Sequence, residues 1–139
     1  MDLGHLPADQ QASIRVLLAD RRGKDQHTAE LLERFLEQVL KESGVSTGTT
    51  SQYIRIHACP GAQGDTAVFV NLTGKIDFRL GPEDFTHHIV AGHAEPVTKK
   101  SAGRIRLTVN LHHGDHAERA TKLTVAVELA RAALDDARG

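Results

Sequence analysis

Hydrophobic residues at helical spacing mark both ends of the chain. They recur three and four residues apart between residues 7 and 22 and again between about 28 and 43, and Gly23 and Gly44 follow these segments as stop signals. A longer pattern of the same kind begins after Asp115 and continues towards the C-terminus. The chain is therefore predicted to start with two amphipathic helices and to finish with one long helix.

Between these helical segments the apolar residues alternate with polar ones, which is typical of β-strands. The alternation predicts five strands, at Tyr53–Ala58, Thr66–Leu72, Lys75–Leu80, Glu95–Lys100 and Arg104–His112. Residues 73–74 and 101–103 contain glycine and are expected to close two hairpins, since glycine adopts the positive φ that tight turns need. A short helix is predicted over residues 81–91, and the Ser/Thr/Gly-rich stretch 44–51 is predicted to be a loop.

The predicted order of elements is helix, helix, three strands, short helix, two strands and long helix. Strands joined by hairpins favour an antiparallel sheet packed against helices, so we expect a single α+β domain over residues 1–139. This order resembles the fold of type III secretion chaperones and their relatives. The resemblance rests on the order of elements and not on a shared motif, so it carries over no functional residue.

The strands predict a sheet with two unlike faces, because successive side chains point to opposite sides. One face carries the aliphatic residues and is expected to pack on the helices. The opposite face gathers the residues predicted to bind a ligand: Arg55, His57, Arg79, Arg104, Arg106 and His112. With Tyr53 and Phe69 nearby and Asp77 among the cations, this face suits an anionic ligand or, alternatively, single-stranded nucleic acid. A solvated outer face of an antiparallel sheet is the plainer interpretation.

Six of the nine histidines fall between residues 87 and 116. They supply the candidate metal ligands His87, His88, His93, His113 and His116. If these converge, zinc or a related transition metal is the cofactor to expect, and otherwise none is expected. His113 and His116, supported by Asp115, are also the candidate catalytic residues of an acid–base enzyme. The alternative is an ordinary set of side chains, with Asp115 as the N-cap of the last helix and His113 continuing the inward phase of the strand.

Net charge and cysteine content bear on the expected partners and compartment, although a local basic patch stays possible. The net charge of −1 gives the whole molecule no attraction to nucleic acid or to an anionic membrane. The single cysteine, Cys59, cannot form an internal disulfide and is expected to be an inert thiol, although His57 close by leaves a nucleophilic pair as the alternative. No signal peptide or long apolar run is present, so a cytoplasmic protein is expected.

The last helix carries a second apolar stripe, formed by Val125, Leu129 and Ala132. Such a helix is covered on two sides, either by the N-terminal helices or by a second subunit in a homodimer. We therefore expect a non-enzymatic binding or adaptor domain that engages a protein partner or an anionic ligand through its sheet face or terminal helix. The alternatives are a small metal-dependent or histidine acid–base enzyme and a nucleic-acid binder that uses the arginine-rich face.

Overall fold

The structure, a computed structural model, describes residues 2–41, 44–58, 66–97 and 107–138. Its helices are α1 (Ala8–Lys24), α2 (Gln26–Leu40), α3 (Thr86–Val90) and α4 (His116–Arg138). Its strands are β1 (Val45–Thr49), β2 (Tyr53–Ala58), β3 (Thr66–Asn71), β4 (Lys75–Phe78), β5 (Glu95–Pro96) and β6 (Leu107–Asn110). A 3-10 turn, Pro82–Phe85, leads directly into α3. The predicted α+β class, with its antiparallel sheet and long C-terminal helix, is confirmed, and the sheet has one strand more than expected.

The six strands form one sheet in the order β1-β2-β3-β4-β6-β5, and every neighbouring pair is antiparallel. The hairpin between β3 and β4 turns at Gly74, whose φ of 104° lies in the region that glycine enters without strain. Its amide donates to the carbonyl of Asn71 at 2.9 Å. After β4 the chain leaves the sheet through the 3-10 turn and α3, so β6 returns beside β4 and β5 lies at the edge.

The segment predicted to be a loop between residues 44 and 51 contains the edge strand β1, so that prediction is wrong. Its β-branched residues Val45, Thr47 and Thr49 alternate with small ones, a pattern too weakly hydrophobic to distinguish a strand from a polar connector. The strand pairs with β2 along its whole length. On its other side, the Gln10 side chain of α1 accepts a hydrogen bond from Thr47 N at 2.9 Å. Tertiary contacts therefore stabilise a strand that its composition does not specify.

The inward-facing residues predicted from the alternation are buried, as expected: Ile54, Ile56, Val68, Val70, Leu72, Ile76, Phe78, Leu80, Leu107, Val109 and Leu111. Helix α4 lies across this face in contact with β2, β3, β4 and β6, and α2 packs against α4. The second apolar stripe of α4 is thereby covered within the chain, since Val125 and Leu129 are both buried. None of the described helices has the length and apolar character needed to cross a membrane.

Two aspartates fix the starts of α2 and α4. The carboxylate of Asp25 accepts hydrogen bonds from Thr28 Oγ1 at 2.7 Å and from Thr28 N at 3.1 Å. These bonds, the one from the hydroxyl foremost, hold the pKa of Asp25 below its usual value. Asp115 caps α4 in the same way by accepting from Glu118 N at 2.9 Å, so its predicted role as an N-cap is confirmed. Gly23, predicted to stop α1, lies inside that helix, and α2 begins directly after Asp25.

Candidate ligand-binding pocket

The outer face of the sheet carries two of the predicted ligand-binding residues, Arg55 and Arg79. Arg55 is exposed on β2 and lies opposite Phe69 on β3. Arg79 follows β4, and its guanidinium carbon sits 5.6 Å from the centre of the Phe69 ring, within the range of a cation–π interaction. Asp77 pairs with Phe69 from the other side, so a carboxylate shares this row of the sheet with the cations. The described outer face is therefore of mixed charge and not uniformly cationic.

Of the other residues predicted for that face, the structure describes His57 and His112. His57 is half-buried on β2, and its Nδ1 lies 3.3 Å from Thr66 Oγ1. His112 lies beyond the sheet, because β6 ends at Asn110. Arg104 and Arg106, also predicted for that face, lie outside the part of the chain that the structure describes, as does Cys59, so the roles predicted for these residues stay predictions.

His112 lies in the turn between β6 and α4, beside the β3–β4 hairpin. The hairpin approaches it closely, since a Cβ atom at Gly74 would lie 3.3 Å from both Cβ and Nδ1 of His112. The Nδ1 atom is buried and has no hydrogen-bond partner among the described residues. Burial is the main cause of a pKa of His112 below its usual value, and the nearby His113 acts in the same direction. The folded protein therefore favours the neutral imidazole at this position.

The stability of the fold should consequently depend on pH through His112. Arg119 and Lys122 also lower its pKa, whereas Asp25 opposes them. As the pH falls below 6.5, the usual value, the unfolded chain binds a proton at this residue before the folded chain does, so the free energy of unfolding decreases. Urea unfolding between about pH 7.5 and about pH 5.5 should show this slope in the wild type and a shallower slope in His112→Gln. His5→Gln, which removes a histidine at an exposed position, is the matched variant for comparison, and an unchanged slope in His112→Gln would contradict the assignment.

Two cations of α4 hold the turn that carries these histidines. Arg119 Nη2 donates to the carbonyl of His112 at 3.0 Å, and Lys122 Nζ donates to the carbonyl of His113 at 3.1 Å. His113 is exposed and does not continue the inward phase of the strand, because strand geometry ends at Asn110. Its ring meets that of His112 edge to face, with 4.3 Å between the ring centres.

The first turns of α2 and α4 lie side by side and enclose a pocket. The rings of His27 and His116, one from each helix, have centres 6.3 Å apart. The pocket has a volume of about 160 Å³ and is lined by His27, Glu30, Leu31, Arg34, His116, Arg119, Ala120 and Leu123. It is called the α2–α4 pocket below.

Both helices present the same spacing to the α2–α4 pocket. On each, the lining residues stand at positions i, i+3, i+4 and i+7, which share one helical face, and a histidine comes first. Leu31 and Leu123 are buried and supply apolar surface, whereas Arg34 is exposed. Two nitrogen atoms, His27 Nε2 and Arg119 Nε, are buried without a partner in the described parts of the chain. The pocket thus combines apolar surface with unmet hydrogen-bonding capacity.

The histidines predicted to form one metal cluster separate into two groups. Within the described ranges, three potential ligands come together at His87, His88 and Glu128, with their ligand atoms within 4.8 Å of one another. His116 begins α4 and Glu128 lies twelve residues further along it, a separation of about 18 Å at roughly 1.5 Å per residue. The structure therefore places His113 and His116 at one end of α4 and the pair His87 and His88 beside its middle.

Sequence reasoning missed the residues that α2 contributes to the pocket. The hydrophobic spacing of α2 predicts only the face that packs on the core, whereas His27 and Arg34 lie on a neighbouring face. Their signal is a histidine near a helix start with an arginine at helical spacing after it, which recurs in α4 as His116 and Arg119. Glu128 had no such signal, because it meets His88 across forty residues of sequence.

The observed order of elements departs from the predicted one, because the structure has a fourth strand before α3. No protein-family model, curated protein or solved structure matches this chain.

Proposed function

We propose that the protein is a non-enzymatic binding domain that holds a small anionic ligand in the α2–α4 pocket. The observation that carries this proposal is the pair of matching helical faces, which bring Arg34 and Arg119 together around one pocket with His27 and His116. Guanidinium groups bind carboxylates and phosphates through paired, charge-assisted hydrogen bonds. Two of them beside an apolar surface favour the recognition of an organic anion.

Positive charge predominates in the α2–α4 pocket. With both histidines neutral, the lining carries the charges of Arg34 and Arg119 against the single carboxylate of Glu30. The N-termini of α2 and α4 also lie here, but the capping carboxylates of Asp25 and Asp115 offset their partial positive charges, so the two arginines provide the attraction for an anion. An anion is therefore the ligand whose charge the pocket complements.

The size and the apolar lining of the pocket narrow the ligand class. A volume of about 160 Å³ lies below the roughly 300–1,000 Å³ of pockets that hold drug-sized ligands. It accommodates a group of few atoms, to which Leu31 and Leu123 offer apolar contact. A short-chain carboxylate suits both properties better than inorganic phosphate, which has no apolar part to bury.

Binding is favoured over catalysis because the two aspartates near the histidines are already engaged as helix caps. Asp25 and Asp115 each accept the backbone amide of a helix start, at 3.1 Å and 2.9 Å. Asp115 was the candidate to orient a catalytic histidine, but this hydrogen bond commits its Oδ1 atom to the start of α4. In contrast, Arg34 and the Nε of Arg119, which has no partner within the described part of the chain, are able to donate hydrogen bonds to an anion in the pocket.

Titration with butyrate, followed by heteronuclear NMR, tests the proposal. Saturable shifts are expected for the amides of the pocket lining. Arg34→Gln should weaken binding by about tenfold or more, since a hydrogen bond to a charged group contributes roughly 1.5–3 kcal/mol. Butylammonium, which has a similar chain and the opposite charge, should give no saturable shift.

Lys41→Gln is the matched control, because it removes one positive charge at the other end of α2. It should bind butyrate as the wild type does. Wild-type affinity in Arg34→Gln, or equal weakening by both substitutions, would remove the pocket as the binding site. Arg119→Gln is a supporting variant only, because Arg119 also holds the turn before α4.

A further inference from the structure

Three side chains able to bind a metal meet where α3 approaches the middle of α4. His88 Nε2 lies 2.8 Å from Glu128 Oε2. His87 is next to His88 on α3, and the centres of the two rings are 4.0 Å apart. The ligand atoms of all three residues lie within 4.8 Å of one another. These residues are called the α3–α4 triad below.

The backbone that carries the two histidines is well anchored. Phe85 and Ile89 pack against the hydrophobic core, which fixes α3 on the rest of the fold. The Phe85 ring also stacks with that of His88, with centres 6.5 Å apart and planes 10° apart. The carbonyl of His87 accepts the amide of Ala91 at 3.1 Å, and the carbonyl of His88 accepts the amide of His93 at 3.0 Å. The backbone positions of both histidines are therefore set before any ligand arrives.

We propose that the α3–α4 triad binds a divalent transition metal ion of the zinc class and thereby links α3 to α4. Two imidazole nitrogens and one carboxylate oxygen form a ligand set that zinc accepts, with a fourth position open to water. Hard ions such as Mg²⁺ prefer sets of oxygen ligands and are disfavoured here. This site is independent of the anion pocket, which lies at the start of α4.

The spacing of the triad requires little movement to accept such an ion. Two ligand atoms each about 2.0 Å from a tetrahedral ion lie about 3.3 Å from each other. The contact between His88 and Glu128 needs to open only slightly from 2.8 Å, and the third ligand closes in from no more than 4.8 Å. Rotation of exposed side chains supplies this movement, since His87 and Glu128 are both exposed. The same exposure gives the ion a path from solvent.

Calorimetric titration of the tag-free full-length protein with Zn²⁺ tests this proposal. One ion per chain is expected, together with a rise in Tm because the ion binds the folded state. Mg²⁺ should neither bind at one ion per chain nor raise the Tm. His87→Ala and Glu128→Gln should each weaken Zn²⁺ binding by roughly tenfold or more, since even residues that only support metal ligands contribute that much. Both substitutions are at exposed positions, so the variants should fold as the wild type does.

Two histidines outside the triad provide matched controls. His93 lies just after α3 and contacts it through its backbone amide, and His113 is exposed in the turn before α4. His93→Ala and His113→Ala should bind Zn²⁺ as the wild type does. Absence of stoichiometric binding in the wild type, or wild-type affinity in His87→Ala, would overturn the proposal. Loss of binding in His113→Ala would also overturn it by moving the ion to the other histidine group.

Discussion

Replacing Phe78 with alanine is expected to lower the free energy of unfolding by about 3–5 kcal/mol, a large share of the stability of a domain of this size. The Phe78 side chain is fully buried on β4. It lies between Val68 of β3 and Leu107 of β6, which are both 0% exposed, and α4 crosses this part of the sheet. Loss of the ring leaves a cavity that neighbours held in a close-packed sheet cannot fill.

Urea unfolding monitored by circular dichroism measures this loss. Val90→Ala is the control, because Val90 is 83% exposed and its truncation should change the free energy of unfolding by less than about 0.5 kcal/mol. Phe78→Leu retains part of the buried volume, so its free energy of unfolding should lie between those of Phe78→Ala and Val90→Ala. If Phe78→Ala proves no less stable than Val90→Ala, the inner face of the sheet does not form the core assigned to it.

The burial of Phe78 could be predicted from the sequence because alternation along a strand fixes which side chains face inward. The same rule predicts the burial of Ile54 and Val109 correctly. It fails for β1, where Thr47 is buried with few hydrophobic neighbours in sequence and with its amide bonded to Gln10 of α1. Apolar alternation thus identifies the inner strands, whereas an edge strand is specified by the contacts that cover it.

The candidate sites were harder to predict because their residues converge from distant parts of the chain. His27 and His116 come within 6.3 Å because α2 and α4 start side by side, which neither helical pattern reveals alone. Clustering along the sequence suggested one site for histidines that the structure divides between two. The chain between His88 and His113 passes through β5 and β6, which carries the second group to the start of α4. The types of the elements and their buried faces could therefore be predicted from the sequence. The side-by-side placement of the first turns of α2 and α4 could not.

Gly74→Ala is expected to lower the free energy of unfolding by roughly 2–4 kcal/mol, from backbone strain and crowding together. Gly74 has a φ of 104°, which side-chain-bearing residues rarely adopt. A Cβ atom there would also lie 3.2 Å from Thr28 Cγ2 and 3.3 Å from Nδ1 of His112. Thr28 belongs to the start of α2, and His112 belongs to the turn before α4. If these residues move to make room for the methyl group, both sides of the α2–α4 pocket should move with them.

Gly23→Ala separates this effect from the general consequence of replacing a glycine. Gly23 lies inside α1, and a Cβ atom there would meet nothing within 4 Å among the described residues, so alanine should stabilise the protein by about 0.5 kcal/mol. Butyrate binding should weaken in Gly74→Ala and stay at the wild-type level in Gly23→Ala. A Gly74→Ala protein with wild-type stability and binding would contradict the close approach of the hairpin to Thr28 and His112. Since that approach connects the sheet to both helix starts, the hairpin glycine is expected to influence the shape of the pocket without lining it.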